Sequence, residues 1–151
     1  MPSPDLFLDS SALFAGVVSP SGAARALLLL AEAELITIIV SEQVVAETER
    51  ALARKVPQAL PYYRQALRST GMRIVRDPSP EEVETHKDVM AHQADVPIVV
   101  AAKKAGADYL ATHNRRHFID DPGVATRSGL CIGTPGDALG WVRERLARED
   151  E

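Results

Sequence analysis

Five short apolar runs recur along the chain with helical patterns between them: Asp5-Leu6-Phe7-Leu8, Ile36 to Val40, Met72 to Val75, Ala107 to Thr112 and Leu130 to Ile132. Runs of this length bounded by polar residues suit strands buried on both faces. Strands that alternate with helices imply a mainly parallel five-stranded sheet, built with right-handed crossovers into a three-layer α/β/α sandwich. Such a sheet binds its ligands beyond the carboxyl ends of its strands, where the chain turns into helices. Residues that follow the strands are therefore the ones to read for chemistry.

The helices are marked by their starts and stripes. Ser10 to Gly16 can form the first, with Asp9 or Ser10 as its cap. Ala23 to Leu35 is a second, and its block Leu27-Leu28-Leu29-Leu30 is apolar over more than one stripe, which suits core or, failing that, a subunit interface. Ser41 offers a cap for a helix over Glu42 to Arg54, with Val44, Val45, Thr48, Ala51 and Leu52 facing inward. Pro57 to Ser69 forms another, with Pro61 in its first turn or splitting it. Ser79, Pro80 and Glu82 spell a capping box with proline at the first helical position, and Thr134, Pro135 and Asp137 repeat that grammar before the last helix, striped by Leu139, Val142 and Leu146. A proline and a glycine bracket the helix between Asp95 and Gly106. His113 to His117 reads as a polar turn, Asp77 as a turn residue, and Asp120 and Asp121 before Pro122-Gly123 as solvated turn residues.

With 151 residues, 46% of them hydrophobic, the chain suits one globular domain over residues 1–151. A single cysteine, Cys131, excludes a disulfide framework and is expected to pack as a small hydrophobe. No apolar run is long enough to span a bilayer and no basic leader opens the chain, so a soluble, cytoplasmic protein with no membrane partner is expected. A net charge of −4 argues against a surface that binds polyanions everywhere, although a local basic patch remains open.

Acids stand at three equivalent places: Asp9 after the first strand, Glu47 or Glu49 on the helix after the second, and Asp95 before the helix that precedes the fourth. Each has an ordinary explanation. Asp9 and Asp95 can cap helices, and the glutamates can be solvated; helical periodicity puts Glu47 and Glu49 at opposite edges of the inward stripe and does not choose between them. Carboxylates that converge, however, raise one another's pKa and call for a hard divalent cation with oxygen ligands, Mg²⁺ or Mn²⁺. Such an ion can activate water for attack on a phosphodiester. His113 and His117, four apart, would suit zinc on a helix, but no third ligand is evident; His86 and His92 share no helical face.

Taken together, Leu8-Asp9-Ser10-Ser11-Ala12-Leu13, Ser41 with Glu47 about two turns later, Asp95-Val96-Pro97-Ile98-Val99-Val100-Ala101-Ala102 and Gly106-Ala107-Asp108-Tyr109-Leu110-Ala111-Thr112 resemble the PIN-domain ribonucleases, especially the VapC-type toxins of toxin–antitoxin pairs. Thr112-His113-Asn114 with His117-Phe118, and Thr134-Pro135, resemble the subset that carries Thr-x-Asn where many members carry Thr-x-Asp. The resemblance covers almost the whole chain. It implies Asp9, Glu47 and Asp95 as metal ligands, so that Glu47 is chosen over Glu49, with Asn114 assisting and Ser11 and Thr112 supporting the site. Asn114 brings no charge, so one firm metal site is expected and a second, weaker ion would arrive with the RNA phosphate.

The expected activity is metal-dependent endoribonuclease cleavage of RNA, with Arg115 and Arg116 as phosphate contacts. Expected partners are RNA, a protein antitoxin and a second copy of the chain. The alternative is a PIN-like module that binds RNA or a protein without cleaving. A phosphatase with Asp9 as nucleophile is disfavoured, because that chemistry resembles Asp-x-Asp and Ser11 stands in the second position.

Overall fold

The computed structural model describes residues 3–149. In chain order it contains β1 (Asp5–Leu8), α1 (Ser10–Val18), α2 (Ala23–Glu32), β2 (Thr37–Ser41), α3 (Glu42–Lys55), α4 (Leu60–Ser69), β3 (Arg73–Val75), α5 (Pro80–Thr85), α6 (Val96–Lys104), β4 (Tyr109–Ala111), α7 (Arg115–Phe118), α8 (Gly123–Ser128), β5 (Cys131–Gly133) and α9 (Pro135–Glu149). The sheet order is β3-β2-β1-β4-β5 and every adjacent pair is parallel. α1 to α4 and α9 contact one another, as do α5, α6 and α8, so the sheet lies between two helical layers. The α/β/α sandwich expected from the strand–helix alternation is the one observed.

Central strands behave as two-sided burial requires. Leu6, Phe7 and Leu8 in β1, and Ile38, Ile39 and Val40 in β2, are each at most 1% exposed. From β1 the chain winds outward through β2 and β3, then returns to add β4 and β5 on the opposite side. β1 and β4 therefore flank the switch point, where the crossovers leave in opposite directions and open a crevice at the carboxyl edge. Leu8 is in register with Ala111, which puts the next residues, Asp9 and Thr112, side by side at that crevice.

Several expectations change. α2 stops at Glu32, short of Leu35, because a Schellman turn ends it: Leu35 N–H donates to Leu30 O at 3.0 Å and Glu34 N–H to Ala31 O at 3.0 Å. Glu34 holds the left-handed position (φ 62°) where glycine is usual, so the stop carried no glycine signal. Of the leucine block, Leu27 and Leu28 are buried but Leu29 is 53% exposed. Asp120 and Asp121 are exposed before α8 as expected, but Gly123 already opens that helix, whose Val124 is fully buried, and Asp121 binds Arg127 at 2.8 Å. Cys131 is exposed rather than packed, because β5 is an edge strand with a neighbour on one side only. Among the described residues no single helix is long and apolar enough to cross a membrane.

The capping box at α5 is complete: Ser79 Oγ accepts from Glu82 N–H at 3.2 Å, and Glu82 Oε1 accepts from Ser79 N–H at 3.0 Å. Glu82 also pairs with Lys104 of α6 at 2.9 Å, tying the two helices together. Ser79→Ala is expected to cost about 1 kcal/mol, the usual worth of a serine cap. Urea denaturation measures it, and no loss would show that α5 is held by α6 alone.

Candidate metal centre

Asp9 leaves β1 directly into α1 and serves as its N-cap, which is the capping reading of this side chain. Oδ1 accepts from Ala12 N–H at 2.9 Å and from Ser11 Oγ at 2.7 Å, and Oδ2 accepts from Thr112 Oγ1. Ser10 is the first helical residue and not the cap. Asp9 is only 5% exposed. Burial pushes its pKa above the ordinary carboxylate range, against the opposing bonds from Thr112, Ser11 and Ala12, and the charge of Asp95 adds to the rise.

Ser41 ends β2 and caps α3 through Val44 N–H at 3.3 Å, which fixes the helix that carries Glu47. Glu47 is partly buried and Glu49 is exposed. The Glu47 carboxyl is also held above its usual value, chiefly by burial; a Gln43 hydrogen bond and Arg50 lower it, and the charges of Asp95 and Asp9 raise it. Asp9, Glu47 and Asp95 thus share one electrostatic neighbourhood, although they come from three separated segments.

Asp95 occupies the N-cap position of α6 but makes no capping bond; its backbone is already helical (φ −97°, ψ −7°). Capping therefore does not account for it. Its Oδ2 lies 3.0 Å from His117 Nδ1 and 3.6 Å from His92 Nε2, and the two imidazoles are stacked with centroids 3.8 Å apart. The segment expected to be a polar turn contains α7, capped by Asn114, whose Oδ1 accepts from His117 N–H at 3.2 Å. Asn114 Nδ2 also faces His117 Nδ1 at 2.9 Å, and Asn114 N–H donates to Thr112 Oγ1 at 2.9 Å.

Ser11 and Thr112 join the two strand ends. Ser11 Oγ accepts from His113 N–H at 2.9 Å while donating to Asp9, so the loops after β1 and β4 are bound together through Asp9. Arg115 and Arg116 are exposed on α7, and Arg116 lines a cleft with His92 and His117. His113, paired with His117 in the zinc reading, is exposed and lies outside the group formed by His92, Asp95 and His117. That convergence was missed from sequence: His92 and Asp95 are three residues apart, but only the fold brings α7 against them.

None of the ion pairs among the described residues links Asp9, Glu47 or Asp95 to a lysine or arginine. A partly buried acidic cluster of oxygen donors without a fixed cationic side chain fits a hard divalent ion. The sequence matches the PIN domain family over residues 5–116, a span that includes Asp9, Glu47 and Asp95. The chain belongs to the PIN-domain family. This is a family of nucleases, and PIN nucleases generally use divalent metals. No curated protein matches the sequence.

Solved structures share the fold of this PIN domain and little of its sequence. PAE2754 from Pyrobaculum aerophilum superposes with a TM-score of 0.64 at 16% identity, covering 95% of this chain and 94% of that one. VapBC2 from Rickettsia felis, bound to a DNA fragment from its promoter, gives 0.60 at 19% identity over 86% of this chain and 98% of that one. Mycobacterium tuberculosis VapC20, a sarcin-ricin loop cleaving toxin, gives 0.52 at 15% identity over 74% and 91%.

Proposed function

We propose that the chain is a single-domain, Mg²⁺- or Mn²⁺-dependent endoribonuclease of the VapC type, working in the cytoplasm as the toxin of a toxin–antitoxin pair. The observation that carries the reading is Asp9: a 5%-exposed carboxylate at the sheet's switch point, held by Ser11 and Thr112 and sharing its field with Glu47 and Asp95. Asp9, Glu47 and Asp95 would hold the ion. When bound, it would supply a water activated for attack on the RNA phosphodiester and charge to stabilise the leaving oxygen. Ser11, Thr112 and the Ala12 amide fix the orientation of the Asp9 carboxylate before any ion arrives. Asn114, through its cap of α7, presents Arg115 and Arg116 to RNA phosphates at the rim of the same crevice. A protein antitoxin and a second copy of the chain are the proposed partners; the first is supported by the likeness to VapBC2 and the second has the exposed Leu29 as its feature.

RNA incubated with the purified protein and Mn²⁺ is expected to be cut internally. Glu47→Gln should lower the rate at least about 100-fold, since a ligand matters no less than the groups that orient it. Glu49→Gln, exposed on the same helix, should stay within about twofold. Equal losses in both would detach the activity from the acid cluster.

A second reading is favoured by Asn114, which contributes no charge, and by Asp95 Oδ2, which already faces His117. On that reading the protein binds RNA or a partner without cleaving. Calorimetric titration with Mn²⁺ separates the two: absent metal binding with retained RNA binding selects the non-catalytic module.

A further inference from the structure

We infer that His92, Asp95 and His117 form a second cation site with mixed nitrogen and oxygen donors, suited to a borderline ion such as Zn²⁺, Co²⁺ or Ni²⁺ rather than to Mg²⁺. One ligand atom from each residue lies within 4.8 Å of the others. Neighbouring ligands of one ion with bonds of about 2.1 Å stand roughly 3.0 to 3.5 Å apart; from Asp95 Oδ2 His117 Nδ1 falls within that range at 3.0 Å and His92 Nε2, at 3.6 Å, just beyond it. Imidazole nitrogens select zinc and its neighbours over magnesium, which favours oxygen and water. Solvent reaches the group through the cleft lined by Ala91, His92, Arg116 and His117, so an ion has a way in.

The α7 cap fixes where His117 stands, since Asn114 Oδ1 accepts from His117 N–H at 3.2 Å. Both histidine contacts fall on Oδ2 of Asp95, which leaves Oδ1 for the ion that Asp9 and Glu47 would hold. Asp95 would then belong to both centres.

The test uses the full-length, untagged protein and Co²⁺ alone, followed by visible absorption and calorimetry. Co²⁺ is expected to bind this site with a nitrogen-ligand spectrum, distinct from any Co²⁺ held by the oxygen donors of the acid centre, and the His92→Ala/His117→Ala variant to bind it here at least about tenfold more weakly and lose that spectrum. His92→Asn, at a side chain 45% exposed, gives the same comparison with the least risk to folding, and circular dichroism verifies the fold. Glu47→Gln is expected to retain the cobalt spectrum, which separates this site from the acid centre that Mn²⁺ calorimetry and RNA cleavage report on. The inference is overturned if the histidine variants bind Co²⁺ as the wild type does, or if Glu47→Gln alone removes the spectrum.

Discussion

Asp9→Asn is expected to lower RNA cleavage by at least about 1,000-fold and, at neutral pH without metal, to raise the melting temperature. The two effects share one cause. Asparagine has the same shape, its amide oxygen still accepts from Ala12 N–H and Ser11 Oγ, and the Thr112 hydroxyl can turn to accept from the new NH₂. What disappears is a charge that burial disfavours, since burial is the largest influence lifting the Asp9 pKa. On the proposed function, the charge that weakens the fold is the charge that would draw a cation.

The pH dependence follows from the direction of that shift. Asp9 titrates higher in the folded chain than in the unfolded one, so between the two values the folded state holds a proton that the unfolded state has released. Stability of the metal-free protein therefore falls as pH rises through that window and stays lower above it. Asp9→Asn should lack this slope. Metal reverses the comparison, because an ion that binds only the folded, ionised form stabilises it, by about 2.7 kcal/mol at 100 times its dissociation constant. For a chain of this size that is about 5–10 °C in melting temperature. Thermal melts with and without Mn²⁺ measure both: the wild type should gain and Asp9→Asn should not, and an equal gain in both would move the ion away from Asp9.

Much of this site was legible from local sequence. Strand ends and helix starts are written in adjacent residues, so Asp9 after Phe7-Leu8 and Asp95 before Val96-Pro97 could be placed at element boundaries without a structure. The choice between Glu47 and Glu49 was not local: it needed the family resemblance, because helical periodicity puts the two at opposite edges of the same stripe. The order β3-β2-β1-β4-β5 could not be read at all, because parallel strands carry no hairpin to fix their neighbours. Asn114 was a missed signal, since asparagine is a favoured cap and α7 begins directly after it. The meeting of His92 with His117 had no signal, because it depends on α7 packing beside the entry to α6. Glu34 shows the converse, a helix end set by backbone hydrogen bonds with a residue that does not advertise it.

Thr112 tests whether the Asp9 site is built by its supporting hydroxyls or merely decorated by them. Its side chain is fully buried; Oγ1 donates to Asp9 Oδ2 and accepts from Asn114 N–H at 2.9 Å. Valine copies the shape and can do neither, so Thr112→Val leaves a buried carboxylate short of a donor and a backbone amide short of an acceptor. The expected cost is about 2–3 kcal/mol, or about 5–10 °C in melting temperature. Losing a bond that lowers the Asp9 pKa also lifts that pKa further, so the deficit should be largest where Asp9 is ionised and shrink as pH falls through the raised Asp9 pKa. In an Asp9→Asn background the same change should cost only about 1 kcal/mol, because the abandoned group is then neutral. Urea denaturation of the four proteins at two pH values gives the cycle. A deficit that ignores both pH and the Asp9 substitution would mean that Thr112 serves the packing of the β4 end rather than the carboxylate.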